Sequence, residues 1–163
     1  MSEFRRRLLF AKLNNEDMKE FNLINKVTLE EAVSNFIVDT DSEGNEFECD
    51  ELFIHFKCVA GDTGNVNITP SYSLTATRPS WFGSTSVAAA ANATRYIDTH
   101  VYRVVDAYFE ERNTYHVSET YQRAMNFTFL GIKGESGIKA MRFAVGNSTA
   151  NILAGSEITI YGR

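Results

Sequence analysis

The stretch Glu51 to Gly61, "ELFIHFKCVAG", is the clearest amphipathic strand of the sequence: Leu52, Ile54, Phe56 and Cys58 fall on one side, Glu51, His55 and Lys57 on the other. Alternation with a period of two is the signature of a half-buried strand, because successive side chains of an extended chain point to opposite faces. The same pattern recurs. "SYSLTATRP" sets Tyr72, Leu74 and Ala76 against Ser73, Thr75 and Thr77; "MNFTFLG" sets Met125, Phe127 and Phe129 against Asn126 and Thr128; "SEITIYG" sets Ile158 and Ile160 against Glu157 and Thr159. "THVYRVVDAYFEE", "TYHVSETY" and "GIKAMRFAVG" read as further strands with looser alternation. Short strands between glycine-bearing turns predict an antiparallel sandwich or barrel. The composition agrees, with aromatic residues at 12% and only two prolines, since aromatic side chains suit a pleated, half-buried surface.

At 163 residues the chain has the size of one domain that buries a sizeable core without disulfide staples. Its two cysteines, Cys49 and Cys58, make neither a CxxC pair nor a disulfide framework and read as small buried hydrophobes. No apolar run approaches the roughly 18 residues of a membrane span, and no signal-peptide core follows the basic start, so the expectation is synthesis in a reducing cytoplasm. The four Asn-x-Thr sequons, at Asn67, Asn92, Asn126 and Asn147, then read as polar strand and loop residues.

Charge is unevenly spread. Arg5, Arg6, Arg7 and Lys12 stand against Glu3 in the first thirteen residues, while the whole chain carries −5, so the body is acidic. An acidic body lacks the positive face that phosphate binding needs, and nucleic acid is not an expected partner. Residues 1–25 read as a basic anchor, helical or extended, with a polar connector; residues 26–163 read as the β-domain. The anchor residues Phe4, Arg5, Arg6, Arg7 and Leu8 form a candidate docking peptide, set against a solvated helix face.

Three other stretches invite a site. "DTDSEGNEFECD", Asp39 to Asp50, nearly matches an EF-hand calcium loop, with Asp39, Asp41, Glu43 and Asp50 as the weak ligand set. Its flanks, "NFIVDT" and "ELFIHF", read as strands rather than helices, and Asp50 stands where a clasping Glu belongs. A β-hairpin with its tip at "DSEGNE" is the expectation, Gly44 and Asn45 supplying positive φ. Trp81 and Phe82, on a long loop between Pro79 and Gly83, are read equally as a sugar-stacking platform, with Tyr96 as a third member, or as a plug at the end of the sandwich. The run "VAAAANA" in the same region reads as a helical turn. Asp106, Glu110 and Glu111 read as a solvated strand end. Three separated histidines give no metal spacing, and no nucleophile elbow, P-loop or dinucleotide fingerprint occurs, so no enzyme, metal or cofactor is expected.

The stretches "VTLEEAVSNFIVDTDSEGNEFECDELFIHF" and "GIKAMRFAVGNSTANILAGSEITIYGR", with the opening "MSEFRRRLL", resemble small jelly-roll domains in virion proteins of tailed phages, the kind frequent in phages of Bacteroidetes-type gut bacteria. The likeness covers roughly half the chain, and its motifs are structural: an acidic strand end with a glycine turn, a strand like "ELFIHF", and a last strand from a "LAGSEITIYG" turn. It implies an all-β antiparallel jelly-roll sandwich that serves as a head-fibre, capsid-decoration or tail component. It further implies a trimeric homo-oligomer, capsid, portal or tail proteins as partners, a place in the virion, and host-surface glycan as a contact. A carbohydrate-binding attachment module using Trp81 and Phe82 is the alternative.

Overall fold

The computed structural model describes residues 21–61, 66–75, 81, 87–89, 93–105, 108–118, 121–130, 136–146 and 151–163. Strands β1 (Asn22–Thr28), β10 (Glu157–Gly162), β3 (Glu51–Val59), β6 (Thr94–Val105), β7 (Tyr108–Ser118) and β8 (Tyr121–Leu130) form one sheet in that order. Strands β2 (Asn35–Val38), β9 (Ala140–Val145), β4 (Val66–Ser73) and β5 (Val87–Ala89) form the other. All pairings are antiparallel. The described residues contain no helix, and hence none long and apolar enough to cross a membrane.

The two sheets pack as an all-β sandwich around one core. From the six-stranded sheet, Leu52, Ile54, Phe56 and Cys58 of β3 point inward beside Ile158 and Ile160 of β10 and Ile97 and Val101 of β6. From the four-stranded sheet come Val38, Ile68, Tyr72, Met141 and Phe143. Phe143 stacks on Phe36 at 5.0 Å and meets the edge of Phe56 across the sandwich at 5.1 Å. Each such buried side chain contributes about 1.5–3 kcal/mol. Pro70 sits inside β4 without breaking it. Its partner β5 covers only Val66 to Ile68, so no ladder bond is asked of the nitrogen proline lacks.

The alternation in β3 and β10 is borne out at the residues named, although Phe53, on the outer side of β3, is buried as well. Other expectations need correction. The acidic stretch is not the tip of a hairpin between two partners, because β2 pairs with β9 in one sheet and β3 with β10 and β6 in the other. It is a crossing between sheets that carries a tight turn. There Thr40 bridges Glu46, Asp41 N–H donates to the Asn45 carbonyl at 2.8 Å, and Gly44 takes φ +85°. The run "THVYRVVDAYFEE" is two strands, β6 and β7, paired with each other. Val87–Ala89 is a strand on β4 instead of a helical turn; the open edge of β4 outweighs alanine's helix preference. Finally, β1 begins at Asn22, inside the stretch expected as connector.

Candidate interaction surface

The alternation that buries one side of β3 sends Glu51, Phe53, His55 and Lys57 to the outer face of the six-stranded sheet. Register then fixes their neighbours on β6: Tyr102 opposite Glu51, His100 opposite Phe53, Asp98 opposite His55, and Tyr96 opposite Lys57. On β10, Tyr161 lies opposite Phe53, Thr159 opposite His55, and Glu157 opposite Lys57. A patch of alternating aromatic and charged groups results, and its middle is shielded although it faces outward: Phe53 is 7% exposed and Asp98 8%.

The contacts explain that shielding. The Phe53 ring stacks on His100 at 4.0 Å and takes the Phe21 ring edge-on at 4.8 Å. Tyr102 leans on the other side of His100 at 4.8 Å. Glu51 joins two elements, receiving His100 Nε2 on one carboxylate oxygen at 2.5 Å and Arg163 on the other at 2.7 Å. The Arg163 guanidinium in turn lies over Phe21 at 4.7 Å. His55 Nδ1 pairs with Asp98, Lys57 with Glu157 at 2.6 Å, and Arg112 with Glu110 at 2.6 Å while lying over Tyr102.

Burial holds His100 below the ordinary histidine range even though Glu51 works the other way. The hydrogen bond from Arg112 lowers Glu110, and the bond to Glu157 raises Lys57. The charges are thus committed to one another and hold the rings in place.

Trp81 sits elsewhere. Arg142 of β9 places its guanidinium over the Trp81 ring at 4.8 Å and donates from Nε to Ser71 Oγ at 3.3 Å, on the outward side of the four-stranded sheet. Tyr96 lies on the six-stranded sheet, its ring 6.3 Å from His55. The expected stacking platform is therefore split between the two sheets, because β6 and β9 carry their outward residues on opposite sides of the sandwich. Phe82 lies outside the described residues, as do the docking residues Phe4, Arg5, Arg6, Arg7 and Leu8.

The four acidic candidates do not converge either. Asp41 accepts backbone N–H groups of Glu43 and Asn45 at 2.8 and 2.9 Å, and Asp50 receives Arg103 Nε at 2.8 Å. Among the described residues, no three His, Cys, Asp or Glu side chains gather as a metal site. Cys49 and Cys58 are buried free thiols, which burial pushes up to about 11 and about 12.

Sequence reasoning missed two features. The histidine–carboxylate pairs depend on the β3–β6 register, which no local pattern contains. Glu111, expected at a solvated strand end, is fully buried on the inner face of β7, while Asp106 lies outside the described residues. Its immediate neighbour Glu110 stays on the outer face. Strict alternation applied to "FEERN" would have separated the two.

Searches with the sequence match it to no protein-family model and to no curated protein.

Proposed function

We propose that the chain is a structural protein of a tailed-phage virion: a jelly-roll block that docks through its basic N-terminus and assembles through its β-domain. The observation that carries this reading is the strand connectivity. The order β1-β10-β3-β6 in one sheet and β2-β9-β4-β5 in the other supports the jelly-roll reading, since an eight-stranded double Greek key would give that order once β7 and β8 are set aside. The pair β7–β8 extends this arrangement at the β6 edge. Such a scaffold supports a role in shape and attachment, with the charged groups Lys57, Glu157 and Arg112 of the outer patch accessible to a partner.

The N-terminal residues supply the docking half of the reading. A basic peptide complements an acidic partner surface. The oligomer is proposed as a trimer, the particle as the site of residence, and a capsid, portal or tail protein as the partner.

The test uses purified particles and the full chain. Mass spectrometry should find the protein in virions. Deletion of residues 1–13 should leave a folded β-domain that no longer enters particles, and sedimentation should give a trimer mass. Absence from virions, or undiminished incorporation of the deletion variant, would refute the reading.

A further inference from the structure

The core of the sandwich contains a chain of polar groups that crosses from one sheet to the other. Thr99 Oγ1 on β6 donates to Asn113 Oδ1 at 2.5 Å, and Asn113 Nδ2 on β7 donates to Glu111 Oε1 at 2.6 Å. The Tyr72 hydroxyl of β4 approaches Glu111 from the opposite sheet, while Glu111 Oε2, buried, makes no hydrogen bond to the described residues. Glu111 and Tyr72 are completely buried, and Thr99 and Asn113 nearly so. A carboxyl with no access to water is costly as an anion and cheap as a neutral acid. Apolar Val101 and Phe127 are its register partners on β6 and β8. Arg103, the cation two positions from Val101 on β6, is committed to Asp50 and to the Ser136 carbonyl. Among the described groups acting on Glu111, Tyr72 is the one that titrates, and it does so far above neutrality.

We propose that Glu111 is a proton-operated latch between the two sheets. With its proton on, the carboxyl is a neutral member of the Thr99–Asn113–Glu111–Tyr72 chain and holds the β7–β8 extension against β4. When the proton leaves to solvent, an anion is left in the core, and the β7–β8 end of the sandwich loosens while the β1–β10–β3 end stays closed. Burial pushes the carboxyl up to about 7, so the latch works across neutral pH.

Hydrogen exchange of the full chain, corrected for intrinsic rates, tests this between about pH 6 and about pH 8.5 on either side of the transition. Amides of β7 and β8 should lose at least about tenfold in protection across that range, and those of β1 and β10 should not. In Glu111→Gln, which keeps the size and removes the titration, the pH dependence should vanish. Should that variant fail to fold, infrared spectroscopy of the wild type decides instead. A protonated-carboxyl band present at the lower pH and lost at the higher, shifted by Tyr72→Phe, supports the latch. A pH-independent exchange pattern, an unchanged dependence in Glu111→Gln, or a Glu111 already ionised at the lower pH overturns it.

Discussion

The sulfur of Cys49 occupies the space into which any side chain at position 162 would project. A Cβ placed on Gly162 would also meet Leu52 Cδ2 at 3.0 Å and Ile24 Cγ1 at 3.2 Å. The last strand can therefore lie flat over the end of the core only because its final residue is glycine. Gly162→Ala should lower stability by about 1–3 kcal/mol, the usual cost of forcing an extra carbon into a packed site. Cys49→Ala in the same chain should return part of the loss. Urea denaturation of the four members of the cycle gives the coupling. Additive losses would mean that the two sites do not touch.

His100 makes stability depend on acid. Its folded pKa lies below the ordinary value, so between the two values the unfolded chain binds the extra proton and stability rises with pH. The contribution is complete above about pH 6.5 and declines as pH falls below it, by up to about 1.4 kcal/mol per unit until the folded group also titrates. The difference in stability between wild type and His100→Gln, followed from neutral to mildly acid pH, should shrink accordingly. NMR titration of the ring should find it charging below a free histidine. A difference that stays constant with pH, or a ring charging above a free histidine, would contradict the structure.

An aromatic contact joins the two sheets in the core. Phe143 touches Phe36 within its own sheet and Phe56 in the other. Phe143→Ala should cost about 3–5 kcal/mol and Phe143→Leu clearly less, because leucine leaves a smaller void. Chemical denaturation with an unchanged denaturant slope measures both. A loss near that of an exposed position would show that the rings do not bridge the sheets.

Strand identity was legible wherever one face is buried and the other wet. In β3 the inward set Leu52, Ile54, Phe56 and Cys58 and the outward set Glu51, His55 and Lys57 differ sharply, so the pattern stands out of the text alone. Pairing was not legible, since register is a non-local property. Nothing in "HF" or "DTHV" announces that His55 meets Asp98. The junction between β6 and β7 was hidden because its residues, "VVDAY", hold neither glycine nor proline and continue the apolar run. Glu111 was misread because a carboxylate counts as exposed unless partners are known, and of its two partners Asn113 follows it on β7 while Tyr72 lies on β4 of the other sheet. In the acidic crossing the turn was legible from "DSEGNE", whereas the destinations of the flanking strands were not, because turn chemistry specifies local geometry only.

That crossing yields the last prediction. Asp41 spends its carboxylate on the turn, accepting the N–H groups of Glu43 and Asn45, and those bonds, the one from Asn45 first, hold it below the usual aspartate range. Asp50, which would close a calcium loop, is instead turned to Arg103. A cation that used both Asp41 and Asp50 would have to break the turn and the ion pair together. About 1 mM calcium, far above sensor affinities, should therefore leave the melting temperature unchanged and produce no calorimetric heat. Asp41→Asn should keep the turn, because the amide oxygen still accepts, whereas Asp41→Ala should expose the Glu43 and Asn45 amides to faster exchange. The carboxylate's contribution is present at neutral pH and is lost as acid protonates it, so the two amides should also lose protection at low pH. A calcium-dependent rise in melting temperature, abolished by Asp41→Ala, would mean that the turn opens to take up an ion.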